Sequence, residues 1–189
     1  MKKTVCFLLL LIAGVLSIYS ESLWPGIRVG AGSYGEGAGF KPGDGYHGYH
    51  ADLLLQKTLC DRTAVQWSAG YLSNGFETGG LILKTEYIRT GMALKVMPLP
   101  YVIIYGGFSL YYILSAKVSD AGTAYTEVTL DGDTLSMTWD YGAQVFFSER
   151  MFTDFRLASW MKDLSAGEYI TSEDEYRPAA YEFSLGMMF

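Results

Sequence analysis

The C-terminal stretch from Ala180 to Phe189 alternates almost strictly. Tyr181, Phe183, Leu185, Met187 and Phe189 fall on one parity, and Glu182, Ser184, Gly186 and Met188 on the other. This is the period of a β-strand with one apolar face. The apolar face runs to the last residue, where a soluble chain usually frays. Seven more segments share the rhythm, each bounded by turn residues. The first, about 27–36, opposes Ile27, Val29 and Ala31 to Arg28, Gly30, Gly32 and Tyr34. The second, about 46–59, opposes Tyr49, Ala51, Leu53 and Leu55 to His50, Asp52 and Gln56. The third covers about 63–72, the fifth about 101–118 and the seventh about 151–162. In the sixth, Leu135, Met137, Trp139, Tyr141, Ala143, Val145 and Phe147 alternate with Ser136, Thr138, Asp140, Gly142 and Gln144. The fourth, about 81–96, changes phase before Tyr87, which predicts a β-bulge near Glu86 or Tyr87, or a change of surroundings above a membrane.

The links sort by length. Cys60-Asp61-Arg62, Met97-Pro98-Leu99-Pro100 and Ser148-Glu149-Arg150 are short, and Pro98 and Pro100 cannot donate to a ladder. Longer links fall at about 37–45, 73–80, 119–134 and 163–175. Strict alternation of long and short is what an up-and-down barrel gives when both termini lie on one side. The pattern therefore predicts an all-β, eight-stranded antiparallel transmembrane β-barrel, with its termini on the periplasmic side.

Composition sharpens this reading. Half of the residues are apolar and 18% are charged, against about 25% in an ordinary soluble domain. Past the N-terminus, no run approaches the roughly 20 apolar residues a spanning helix needs. A cylinder showing alternate residues to lipid resolves the conflict. The N-terminus itself reads as a secretory signal: Met1-Lys2-Lys3 precedes an apolar run from Val5 to Ile18, with cleavage expected near residues 20–22. The mature chain, 23–189, is then one domain with Cys60 as its single cysteine, so it forms no internal disulfide. Without Lys2 and Lys3, 12 of the 14 Lys and Arg stand against 20 Asp and Glu. That balance argues against nucleic acid as a partner.

Energy decides which face meets lipid. A lipid-facing Arg or Lys at mid-membrane costs about 2–4 kcal/mol. Arg28, Arg89, Lys95 and Arg156 share parity with Gly, Ser and other small residues, so they belong inside. The lumen of eight strands is only wide enough for side chains, so these bases need Asp52, Asp140, Asp154 and Glu182, which share the inward parity. His50, Gln56 and Gln144 complete the expected polar network. Leu54, Ile103, Tyr105, Tyr111, Ile113 and Phe146 are also inward, either filling space or lining a pocket. A soluble barrel would reverse the faces. Trp67, Tyr112, Trp139 and Phe183 on the apolar side instead suit membrane interfaces. His47 and His50 fall on opposite faces and form no two-histidine metal site. His50 and Asp52 share a face, where a buried hydrogen bond is expected. No metal, cofactor or catalytic set is predicted. The long links are acidic, with Asp120, Glu127, Asp131, Asp133, Glu168, Glu173, Asp174 and Glu175.

The terminal Phe189 and the stretch from Pro100 to Phe108 resemble the small eight-stranded bacterial outer-membrane proteins of the OmpX, OmpA membrane-domain and OmpW type. The likeness covers the whole mature chain as pattern. Met187 stands where those families commonly carry an aromatic residue, and Ser184 where they often carry glycine. The resemblance implies outer-membrane lipid around the barrel and a terminal strand, Tyr181 to Phe189, read by the barrel-assembly machinery. It implies a structural or surface-interaction role, with a ligand engaged through links 37–45, 73–80, 119–134 and 163–175. An OmpW-like alternative is a narrow channel or pocket for small, partly apolar solutes. Lipid-modifying barrels of this size carry a His and a Ser at the outer rim, and no histidine-x-serine occurs here.

Overall fold

Alternation becomes a closed sheet. The computed structural model describes residues 23–36, 46–78, 81–120, 126–127, 135–160 and 178–189, none of them helical. The strands are β1 (Leu23–Glu36), β2 (Tyr46–Cys60), β3 (Thr63–Thr78), β4 (Leu81–Leu99), β5 (Val102–Asp120), β6 (Thr126–Glu127), β7 (Leu135–Phe146), β8 (Met151–Trp160) and β9 (Pro178–Met188). All but β6 form an antiparallel barrel in chain order, closed by β9 on β1. Among the described residues, the two of β6 pair with Lys117 and Val118 of β5.

One row of paired residues runs from Trp24 through Gln56, Gln66, Ala93, Gly107, Asp140, Ala158 and Ala180, and returns to β1 at Tyr34. The return is ten residues above the start. That stagger tilts the strands and brings distant residues to one level of the lumen.

Several expected boundaries move. Residues 73–78, read as part of a long link, continue β3 and pair with β4, from Ser73 opposite Glu86 to Thr78 opposite Leu81. The turn-prone Ser73-Asn74-Gly75 is overridden by an uninterrupted ladder, and Asn74 accepts a hydrogen bond from Thr85. Ser119 and Asp120 likewise end β5 and are not link residues. β4 continues through Pro98 to Leu99, leaving Pro100 and Tyr101 as the turn. The register slip does lie between Glu86 and Tyr87, but the extra residue is Leu114 of β5. β4 keeps its parity: Thr85, Tyr87 and Arg89 are all buried. The apparent phase change arises because Lys84 and Glu86 occupy the outward parity above the apolar belt. The expected signal segment, links 37–45 and 163–175, residues 79–80, Lys162 and most of 119–134 lie outside the described residues.

The outer wall is apolar and open. Leu53 is 68% exposed, Val29 55%, Phe183 57% and Trp139 50%. A wall of this kind suits hydrocarbon, since in water it would form a patch far larger than a soluble monomer tolerates. Inside, the filling is layered. At the end bearing Leu23, Phe189 and the tight turns, Leu54, Phe152 and Met188 pack together with Phe146 against them. At the opposite, loop end lie Tyr34, Leu72, Tyr87, Tyr111, Ile113, Ala158 and Ala180. Charged residues lie between: on β8, for example, Asp154 and Arg156 separate Phe152 from Ala158. Inward glycines make room for aromatic rings. A Cβ on Gly186 would meet the Phe152 ring opposite it, and one on Gly142 would meet Tyr105.

Candidate functional site

The charged layer is built by register. Arg28 on β1 pairs across the ladder with Asp52 on β2, and Asp52 with Gly70 on β3. Gly70 in turn faces Arg89 on β4. Because Gly70 has no side chain, Asp52 reaches across β3 to Arg89; a Cβ there would strike its carboxylate.

Arg28 donates to Asp52 Oδ2 from Nε at 3.0 Å and from Nη2 at 2.8 Å, and to Asp154 from Nη1. Arg89 grips Asp52 with Nε (2.7 Å) and Nη2 (2.5 Å), and its Nη1 donates to both Glu182 oxygens at 2.7 and 2.8 Å. Arg156 Nη2 donates to Asp140 at 2.8 Å, and its Nη1 lies 3.7 Å from Glu182. A continuous chain results: Asp154, Arg28, Asp52, Arg89, Glu182, Arg156, Asp140. The forked guanidinium suits such two-sided contacts. Remaining lone pairs are covered by Tyr34 on Glu182 (3.2 Å), Tyr105 on Asp154 (3.0 Å), and Ser109 (2.5 Å) and Thr138 (2.8 Å) on Asp140. Burial of this many charges is tolerable only when each is paired and hydrogen-bonded.

The structure therefore brings Arg28, Asp52, Arg89, Asp140, Asp154, Arg156 and Glu182 into one network. Lys95 stands apart. Its Nζ donates to Gln56 Oε1 at 2.9 Å and Gln144 Oε1 at 2.6 Å. His50 is buried and His47 exposed, on opposite faces. The partner expected for His50 needs correction. Both Asp52 oxygens are taken by arginines, and His50 Nε2 instead meets Ser184 Oγ at 2.8 Å. The contact crosses β1 at Gly30, which pairs with both His50 and Ser184. Tyr34, Ser109, Thr138 and Ser184 were not among the predicted network residues. Their signal was the inward parity they share with the charged positions.

Ser184, His50 and Glu182 have the residue types of a hydrolytic triad, but not its geometry. His50 Nδ1 lies 3.8 Å from Glu182, beyond hydrogen-bond range. Glu182 is committed to Arg89, and His50, Ser184 and Glu182 are only 2%, 1% and 1% exposed. Among the described residues no cluster of three or more His, Cys, Asp or Glu has a metal-holding arrangement. Cys60 is exposed beside the Asp61–Arg62 turn.

Open space is uneven. Within the charged layer a void of about 20 Å³ lies among Arg28, Gln66, Tyr105, Ser109, Asp140 and Arg156, room for on the order of one water molecule. At the turn end a wider concavity of about 760 Å³ opens outward. The outward-parity residues of β9, Phe183 and Leu185, are about half exposed and Phe189 ends the same row.

No protein-family model matches the chain. No curated protein matches it in sequence. Among solved structures it is similar to Ail, the attachment invasion locus protein of Yersinia pestis, with 17% identity over 90% of this chain and 100% of that one, at a TM-score of 0.54. The same protein in complex with the heparin analogue sucrose octasulfate gives 15% identity, 89% and 98% coverage and a TM-score of 0.55. Neisserial surface protein A gives 10% identity, 88% and 97% coverage and a TM-score of 0.57. At these identities the likeness is one of fold: the chain has the architecture of small eight-stranded outer-membrane β-barrels.

Proposed function

We propose that the protein is an integral β-barrel of the bacterial outer membrane, exported by a signal cleaved near residues 20–22, with its termini on the periplasmic side. Its role is structural or surface-directed: a rigid, filled cylinder holds links at the loop end toward the exterior. The observation that carries this reading is the lumen, where the arginine–carboxylate chain is capped by an apolar cluster at each end. Such a core supports a scaffold better than a pore. Purified, folded protein in a planar bilayer is expected to give no stable conductance; steady open channels from the monomer would overturn the proposal.

The surface ligand follows from charge. Ail has been seen with a sulfated heparin analogue, but the links of this chain are acidic, and like charge repels sulfate. A basic surface is the better match. Protein in nanodiscs should bind polylysine-coated beads in low salt and ignore heparin beads; the reverse preference would refute the assignment. Strand β9 is the proposed assembly signal through Tyr181, Phe183, Leu185, Met187 and Phe189. Deleting Phe189 should lower the heat-modifiable, membrane-inserted fraction in cells several-fold while leaving refolding in detergent intact.

A second reading keeps a narrow path for small, partly apolar solutes. The apolar inward cluster of Leu72, Tyr87, Tyr111 and Ile113 at the loop end favours it. Uptake of an apolar solute by proteoliposomes, lost on replacing Leu72 and Ile113 by polar residues, would select this reading.

A further inference from the structure

The turn-end concavity combines an apolar wall with an unusual cation. Trp24, Met97, Ile103, Phe146 and Met188 line it, and Gln56 is a polar group in the same wall. Lys95, two positions before Met97 on β4, is 2% exposed and donates to Gln56 of that wall. Its two acceptors, Gln56 and Gln144, are neutral amide oxygens, although an ammonium has three N–H donors and a full charge to satisfy. The four inward carboxylates are already engaged by arginines: Asp52 and Asp154 by Arg28, Asp52 and Glu182 by Arg89, and Asp140 by Arg156. Gln144 adds a second unmet demand. It is fully buried, and its amide nitrogen, on the same group whose oxygen meets Lys95, has no hydrogen-bond partner. A buried cation beside a buried orphan donor is satisfied by an anionic oxygen.

We propose that this turn-end vestibule binds a single-chain amphiphile with a carboxylate head. The head takes the place of the Gln56 oxygen on Lys95 and accepts from the Gln144 amide. The alkyl chain lies along Trp24, Met97, Phe146 and Met188. The volume falls within the range of about 300–1,000 Å³ typical of small-molecule pockets. A monoanion fits better than a dianion. Among the described inward side chains four cations already balance four carboxylates, so each added charge unbalances the lumen. Glu149, exposed on the rim, also repels a second charge at the mouth.

The test is octanoate added to ¹⁵N-labelled protein in zwitterionic nanodiscs, with octanol as the partition control. The readout is the Gln144 side-chain NH₂ resonance, identified by its loss in Gln144→Leu. Octanoate should shift it saturably, with an apparent affinity at least tenfold above that of octanol. Lys95→Met should abolish the shift in protein shown to be folded by heat-modifiable mobility. Met97→Trp, which narrows the vestibule without touching Lys95, should abolish it too and decides the matter if Lys95→Met does not fold. No saturable shift, an equal response to octanol, or a response surviving Met97→Trp would each overturn the proposal.

Discussion

Arg89 makes more hydrogen bonds to carboxylates than any other described arginine. It is fully buried and spans from Asp52 on β2 to Glu182 on β9, with four hydrogen bonds to those two carboxylates. Replacing one member of a buried ion pair costs about 3–5 kcal/mol, because the partner is left charged in a dry place. Arg89→Met should therefore lower unfolding stability by about that amount, read from urea unfolding in lipid vesicles. Arg89→Lys should recover only part, since a point charge cannot grip both carboxylates as a fork does. Adding Glu182→Gln to Arg89→Met should restore some stability, because Glu182 loses its closest arginine whereas Asp52 keeps Arg28. A loss under about 1 kcal/mol for Arg89→Met would mean that the lumen admits water freely. Parity in the sequence was enough to send Arg28, Arg89, Lys95 and Arg156 inward. It could not supply their partners. His50 and Asp52 share a face two residues apart, yet His50 meets Ser184, more than a hundred residues away in the chain. That contact depends on the stagger of the closed sheet and on Gly30 lying between, neither of which is local.

At the level of strands, alternation was legible and ends were not. Strand β7 was plain because its inward Thr138, Asp140 and Gln144 and outward Met137, Trp139 and Val145 never exchange. The extension of β3 was hidden because Ser73-Asn74-Gly75 carries the residue types of a turn, and only the matching length of β4 makes it a strand. The bulge belongs to β5 and leaves the parity of β4 intact, so the disturbance read in β4 was the outward Lys84 and Glu86 and not the bulge itself. In the structure Ile113 and Ala116 both point inward with Leu114 as the surplus residue. Deleting Leu114 should thus yield a regular ladder in which every remaining residue keeps its face, and the variant should still migrate as a folded, heat-modifiable band. Deleting Leu110 is the contrasting case. It shifts part of β5 by one position and turns its inward row toward lipid. That variant should not fold. Equal behaviour of the two deletions would show that register in β5 is set elsewhere.

The whole molecule depends on its two surfaces having opposite solvents. Leu53 lies near the middle of β2 and is 68% exposed, while Leu59, at the turn end of the same strand, is 56% exposed. By exposure alone the two are equivalent, and in water an arginine at either would be nearly neutral. In a bilayer they differ by depth: a lipid-facing Arg costs about 2–4 kcal/mol at the midplane and about 0–1 kcal/mol near the interface. Leu53→Arg should accordingly destabilise the folded protein by about 2–4 kcal/mol in phosphatidylcholine vesicles, and Leu59→Arg by no more than about 1 kcal/mol. The pair also separates a membrane belt from a structural contact. A packing defect would follow the number of atoms removed, which is the same at both sites, whereas a belt follows depth. Equal and small losses at the two positions would mean that the outer wall faces water, and the inward burial of arginine would then have no solvent-based cause.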